Sequence, residues 1–178
     1  MKSGKGFSDR VEKWLARVPG VRSYRDREHR RETDKHLREK MDSQLQEARS
    51  KLSHAVLGLS QKGQYDLLEE LDRVSSRIQQ MADTIRYASY GYAGIFDLEK
   101  IREEELDRLY SIDLSLMDDL ERLQAEVGEL NSQSPPEKGK TMAEEVFHLL
   151  DALGKKFRQR NDFMAGLPDP VMKNRTLE

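Results

Sequence analysis

The sequence contains no cysteine, which excludes disulfide bonds, thiol catalysis, iron–sulfur clusters and thiolate zinc sites. Only 5 prolines and 11 glycines interrupt its 178 residues, so long helices are expected. Apolar residues form no run of about 18, and charged residues interrupt the amino-terminal sequence throughout. The sequence therefore predicts neither a membrane-spanning helix nor a secretory signal, and we expect a cytoplasmic protein.

Charge, in contrast, is abundant. Charged residues make up 36% of the chain and hydrophobic residues another 36%, a balance typical of amphipathic helices with a large solvated surface. The formal net charge is -2, yet residues 1–40 contain 13 Lys/Arg against 7 Asp/Glu, and residues 66–131 contain 7 against 17. We expect the basic end to contact an anionic surface or the acidic middle of another copy.

Apolar spacing predicts five helical segments and therefore an all-α fold. Their predicted bounds are 8–17, 26–61, 66–89, 97–130 and about 141–160. Ser8 is the expected N-cap of the first segment and Asp97 of the fourth, and Thr141 with Glu144 forms a capping box for the fifth. The chain after Asn161 is expected to be irregular.

Continuous apolar stripes on the middle three segments predict how they pack. The second segment carries Leu37, Met41, Leu45, Ala48, Leu52, Ala55 and Leu59. In the third and fourth segments the apolar residues recur every 3.5 residues on average, which predicts an antiparallel coiled-coil hairpin. We therefore expect an elongated antiparallel helical bundle with a coiled-coil hairpin and a short N-terminal amphipathic helix.

Composition divides the chain into four consecutive parts. These are an amphipathic segment at 1–20, the helical bundle at 21–130, a linker at 131–140, and a C-terminal helix with its tail at 141–178. The linker contains two prolines and a glycine and lacks an apolar anchor. The fifth segment is either a fourth helix of the bundle or a mobile arm.

The first segment has an apolar face formed by Phe7, Val11, Trp14, Leu15 and Val18, and its polar side is basic. Such a helix is suited to the interface of an anionic membrane. The same face is equally typical of a terminal helix that docks on the bundle and buries its tryptophan. Both interpretations remain open at the level of the sequence.

The turn between the third and fourth segments is rich in aromatic residues, namely Tyr87, Tyr90, Tyr92 and Phe96. Phe96 is expected to form a hydrophobic staple with Ile101. The rings either cover the open end of the hairpin or form a partner-binding patch, since tyrosine is enriched in interface cores.

Few residues indicate a catalytic, metal-binding or nucleic-acid-binding site. Glu145 and His148 have the Glu-x-x-His spacing of a di-iron bundle but lack convincing partner ligands. The run Arg22–Lys40 is the best nucleic-acid candidate, although acids at i,i+4 spacing, such as Asp34 with Arg38, predict salt bridges within one helix. We predict no catalytic, metal or cofactor site and no small-molecule substrate.

Two resemblances accompany these patterns. The order of a basic amphipathic terminus, a long helical hairpin and further charged helices resembles phage shock protein A and related ESCRT-III-like membrane-remodelling proteins. The phrases "PGVRSYRDREHRRETDKHLREKM" and "RYASYGYAGIFDLEKIREEELDRLYSID" resemble an uncharacterised family of bacterial helical proteins over about residues 19–130. That resemblance implies a bacterial cytoplasmic origin and no particular activity.

We conclude from the sequence that the protein is a non-enzymatic adaptor or scaffold. It is expected to bind itself or another protein through its helices, with reversible attachment to the inner face of the membrane through the first segment. The alternatives are a metal-binding carboxylate bundle and a nucleic-acid-binding protein.

Overall fold

The computed structural model of the chain describes residues 3–18, 24, 27–63, 65–88, 101–130 and 135–166. Over these ranges the chain forms five α-helices and no strand, which confirms the predicted all-α helical bundle. The helices are α1 (Ser3–Arg17), α2 (Arg30–Gln61), α3 (Leu68–Tyr87), α4 (Glu103–Glu129) and α5 (Pro136–Ala165), and a 3-10 turn (Arg27–His29) precedes α2.

Helix α1 begins earlier than predicted. Ser8 lies inside the helix, because the helix already starts at Ser3, and the predicted N-cap is therefore wrong. The added residues include Gly4 and Gly6. A glycine costs a helix about 1 kcal/mol relative to alanine, which weakens the helix without ending it. The amphipathic helix consequently has 15 residues.

Helix α4 begins at Glu103, later than the predicted N-cap Asp97, and the two residues before it are not helical. The backbone N–H of Arg102 donates to Oε2 of Glu105 at 3.1 Å, as in half of a capping box. Three consecutive glutamates in the first turn also favour a helix start here. Asp97 and the predicted staple residue Phe96 lie outside the described residues.

Helix α5 also begins earlier than predicted, at Pro136, so residues 136–140 of the expected linker are helical and Thr141 is not a cap. Proline is favoured at a first helical position because it has no N–H to leave unpaired. Gly139 lies against Leu67, whose Cδ2 would be 2.5 Å from a Cβ added to the glycine. This glycine therefore permits close packing.

At its other end, α5 continues beyond Asn161 to Ala165, where an irregular tail was predicted. Both Asn161 and Met164 are buried. Met164 extends the apolar stripe through Phe157 by the usual steps, but Arg160 occupies the intervening position. The prediction was wrong because a charged residue interrupts the apolar pattern that indicates the helix.

The chain forms two compact units. Unit 1 comprises residues 1–40, 88–117 and 156–178, and unit 2 comprises residues 41–87 and 118–155. Unit 1 contains α1 and unit 2 contains α3, and each also contains parts of α2, α4 and α5. Unit 1 has 21 Lys/Arg against 17 Asp/Glu, a formal charge of +4, and unit 2 has 10 against 16, a charge of -6.

Polar contacts in unit 2 fix the directions of its helices. Arg86 of α3 contacts both carboxylate oxygens of Asp42 in α2, at 2.8 and 3.1 Å, and Arg49 of α2 donates to Gln79 of α3 at 2.7 Å. These pairs show that α2 and α3 are antiparallel. The predicted stripe of α2 is buried along its whole length.

Helices α3 and α5 are neighbours in unit 2. Arg77 of α3 pairs with Asp151 of α5, and Leu67, just before α3, packs on Gly139 near the start of α5. The order of these contacts shows that the two helices run in the same direction. The coiled-coil pairing of α3 with α4 stays a prediction.

Candidate functional site

A buried aromatic cluster joins α1 to the rest of unit 1. The rings of Trp14, Tyr24 and Tyr110 lie with centroids 5.1 to 5.5 Å apart, within the range of favourable ring pairing. The Tyr110 hydroxyl accepts a hydrogen bond from the backbone N–H of Tyr24 at 2.8 Å. The indole N–H of Trp14 is buried and has no hydrogen-bond acceptor in the part of the chain that the structure describes; such an unpaired group costs about 1–3 kcal/mol.

A buried ionic cluster lies beside these rings. Arg160, 1% exposed, donates from Nε to Oδ1 of Asp113 at 2.6 Å, and its Nη1 is 2.9 Å from Oδ1 of Asp34. Asp34 in turn accepts a hydrogen bond from Arg38 at 2.9 Å. The Tyr24 hydroxyl accepts from Arg160 at 3.0 Å and donates to Asp113 at 3.1 Å. Arg160 and Arg38 thus lie against two carboxylates, Asp113 and Asp34, in a site that excludes most water.

Burial and charge displace the pKa values in this cluster. Burial raises the pKa of the Asp113 carboxyl, and nearby Arg160 offsets only part of that effect. Burial acts to lower the pKa of Arg160, but the Asp113 and Asp34 carboxylates outweigh it and hold the pKa well above its ordinary value. Burial also raises the pKa of the Tyr24 hydroxyl well above its ordinary value. The Arg160 guanidinium therefore stays charged, and it holds Asp113, Asp34 and Tyr24 together in the interior of unit 1.

Sequence reasoning missed this cluster, although a signal was present. Arg160 follows Phe157 by three residues, and Asp113 follows Leu109 by four, so each charge continues an apolar stripe. Asp34 precedes Leu37 by three residues and so also lies on the apolar side of its helix. A charged residue at a core-facing position on each of three helices could have indicated a buried network.

The structure buries much of the predicted membrane face of α1. Trp14 and Val18 are buried, and Val11 and Leu15 are half-buried, whereas the Phe7 side chain lies outside the description. On the polar side of the helix, Nε and Nη2 of Arg10 each lie 2.5 Å from a carboxylate oxygen of Asp107 in α4. This placement agrees with the docked interpretation of α1, and membrane contact would require the helix to leave unit 1.

The aromatic turn is described only at its first residue. Tyr87, at the end of α3, is 63% exposed. Tyr90, Tyr92 and Phe96 lie outside the described residues. The partner-binding patch predicted for this turn therefore stays a prediction.

Some of the arginine side chains in the basic run at Arg22–Lys40 are buried. Arg30 and Arg38 are buried, and Arg30 donates to the backbone carbonyl of Tyr24 at 2.8 Å. The predicted i,i+4 pair of Asp34 with Arg38 is confirmed. These cations are engaged within unit 1, which favours the salt-bridged interpretation of the run over phosphate binding.

The candidate metal pair lies on the surface. Glu145 and His148 are both exposed on α5. Within the described ranges, no three His, Asp or Glu side chains lie close enough to hold a metal ion. No observation among the described residues therefore favours the metal-binding alternative.

An open groove runs along α3 in unit 2. It has a volume of about 950 Å³ and is lined by one face of the chain from Tyr65 to Gln80 and by Phe147 of α5. We call it the α3–α5 groove. Tyr65 is 65% exposed at one end, and the guanidinium groups of Arg73 and Arg77 lie 5.6 and 5.9 Å from the Phe147 ring. The groove thus combines apolar surface with charge.

A smaller cavity of about 420 Å³ shares Arg73 and Phe147 with the groove. We call it the Glu70 cavity, since Glu70 lines it together with Val74 of α3 and with Ala143, Glu144 and His148 of α5. Oε2 of Glu70 is buried, and no hydrogen-bond donor for it is found among the described residues. The cavity therefore places an unpaired carboxylate beside an apolar wall.

The groove was not predicted, because it depends on which helices are neighbours. Phe147 gave the available signal. This aromatic residue lies next to Val146 on a helix whose apolar stripe continues through Leu150 and Leu153, so its position is beside the stripe and not on it. A ring beside the stripe indicates an apolar surface at the edge of the bundle.

In the part of the chain that the structure covers, no helix is both long and apolar enough to cross a bilayer. Comparison with known proteins finds no matching family model, no matching curated protein and no matching solved structure.

Proposed function

We propose that the protein is a cytoplasmic, non-enzymatic adaptor that binds a partner protein in the α3–α5 groove. The observation that carries the proposal is the groove itself, with Tyr65 largely exposed and the Phe147 ring at its wall. Its length along α3 suits a helical segment, because an amphipathic helix places anchor residues into such a groove at helical spacing. Exposed tyrosine contributes contact area at low entropic cost.

Site-specific photo-crosslinking tests this proposal. A photoreactive residue at Ser76, which lines the groove and is exposed, is expected to give a discrete protein adduct in cells. The same residue at His54, exposed on α2 outside the groove, is the control. The captured partner is then purified, and Tyr65→Ser is expected to weaken its binding by about 10-fold or more. Equal adducts from both positions, or unchanged binding by the variant, would refute the proposal.

Membrane attachment through α1 is a separate proposal from the sequence, and it requires the release of Trp14 from unit 1. Flotation with anionic vesicles tests it, with a chain that lacks residues 1–20 as the comparison. Equal partitioning of the two chains would contradict it. The metal-binding and nucleic-acid alternatives have no supporting observation among the described residues.

A further inference from the structure

Four carboxylates line the α3–α5 groove or the Glu70 cavity. They are Glu69 and Asp72 in the groove, and Glu70 and Glu144 in the cavity. Within the described part of the chain, none of the four takes part in an ion pair or a hydrogen bond. Their charge is therefore available to a ligand.

The cations of the groove offset this charge only in part. Arg77 is already paired with Asp151 and also donates to Gln80 at 2.5 Å. Arg73 lies over the Phe147 ring, where its charge interacts with the ring face. Because unit 2 as a whole has a formal charge of -6, the surroundings reinforce the negative potential of the groove.

The Glu70 cavity adds a specific requirement to this general attraction. A carboxylate with one oxygen out of reach of water and of any described donor loses hydration and gains no hydrogen bond in return. Glu70 lines the cavity, and a rotation of its carboxylate would let an N–H group of a ligand there supply that bond. The cavity wall formed by Val74, Ala143 and Phe147 can contact the methylene stem of a long cationic side chain. Lysine and arginine combine such a stem with N–H donors.

We propose that the occupant of the α3–α5 groove is a basic amphipathic helix of the partner protein, with one lysine or arginine side chain in the Glu70 cavity. This inference rests on the proposed adaptor function and specifies the chemistry of the partner. Apolar residues of the bound helix contact Tyr65 and Phe147, and its flanking cations face Glu69 and Asp72. Charge complementarity of this kind selects the partner and accelerates association.

Two matched peptides test the inference on the full chain. One is a short amphipathic helical peptide of leucine and lysine, and in the other glutamate replaces every lysine. Fluorescence polarisation of the labelled peptides is expected to show binding of the lysine peptide, weakened by salt, and little binding of the glutamate peptide. Glu70→Gln is expected to weaken the lysine peptide by about 10-fold, and Glu144→Gln, whose side chain is exposed, by about 2- to 5-fold. Glu145→Gln, the exposed neighbour outside both cavities, removes the same charge and should have little effect.

The peptide and variant results separate a failure of the basic-helix inference from a failure of the proposed adaptor function. If the glutamate peptide binds as tightly as the lysine peptide and Tyr65→Ser weakens both, the groove binds helices and only the basic partner is wrong. If Glu70→Gln and Glu145→Gln have the same effect, the cavity does not select a cation and the inference is wrong. Binding of neither peptide would count against the groove as a helix site and so against the proposed function. A concentration-dependent dimer that Glu70→Gln abolishes would replace the partner protein with a second copy of this chain.

Discussion

Replacing Asp113 by alanine leaves Arg160 buried with too little negative charge around it. In the native protein Arg160 contacts both Asp113 and Asp34, and Asp34 is shared with Arg38. After the replacement, two buried cations share one carboxylate. Removing one partner of a buried ion pair costs about 3–5 kcal/mol, because the remaining charge has lost both water and its counterion. We therefore expect Asp113→Ala to lower the free energy of unfolding of unit 1 by that amount.

Urea unfolding, followed by the fluorescence of Trp14, measures this change in unit 1. Trp14 is the only tryptophan, and its ring is 5.1 Å from that of Tyr24, which contacts the cluster. Asp107→Ala is the control in the same unit, because its pair with Arg10 is partly exposed and such pairs contribute about 0–1 kcal/mol. A cost for Asp113→Ala of less than about 1 kcal/mol would refute the reasoning.

A double variant tests the charge balance directly. Combining Asp113→Ala with Arg160→Met removes one charge of each sign and leaves the pair of Asp34 with Arg38 intact. We expect the double variant to be more stable than Asp113→Ala alone, as buried ion pairs replaced by apolar residues often are. If the two single effects simply add, the charges act independently and the balance argument is wrong.

Three further predictions concern burial, packing and pH. Trp14, which is fully buried, should emit at short wavelength and resist quenching by acrylamide in the absence of membranes; emission typical of exposed indole would contradict the docking of α1. Gly139→Ala should be less stable than Gly128→Ala by about 1–3 kcal/mol, because its Cβ would meet the buried Leu67 side chain whereas Gly128 has open space around it and both gain about 0.5–1 kcal/mol of helix propensity. Thermal unfolding that shows equal effects for the two would refute the packing argument. Because the pKa of Tyr24 is raised in the folded state, its protonated hydroxyl stabilises the fold below pH ~10, and this contribution is lost as the pH rises from there through the folded-state pKa. The free energy of unfolding of the native chain should therefore fall more steeply above pH ~10 than that of Tyr24→Phe. Parallel curves for the two chains would contradict this.

The apolar stripes could be predicted from the sequence because each depends on one helix alone. Leu37 to Leu59 are buried along α2 as their spacing requires, and Asp34 pairs with Arg38 within one helix as predicted. Helix ends were less predictable. Pro136 starts a helix although it looked like part of a linker, because a prolyl residue is compatible with both.

The contacts that define the candidate sites join residues far apart in the sequence. Asp113 and Arg160 are 47 residues apart, and neither position indicates that the other is its partner. The same limit applies to Glu70 and Phe147, which line one cavity only because α3 and α5 are neighbours. Local periodicity predicts which side of a helix is buried and does not predict which helix covers it.

Unit 1 is formed by segments that are far apart in the sequence and that the ribosome therefore makes at different times. Tyr24 hydrogen-bonds to Tyr110, 86 residues later, and to Arg160, 136 residues later. At about 5–20 residues per second, the ribosome makes Arg160 some 7–27 s after Tyr24. During that interval the buried ionic cluster cannot form, and until Tyr110 is made the Trp14 ring lacks one of its two aromatic partners. The nascent chain therefore leaves this tryptophan incompletely covered, and chaperones can contact it before the folded protein buries it.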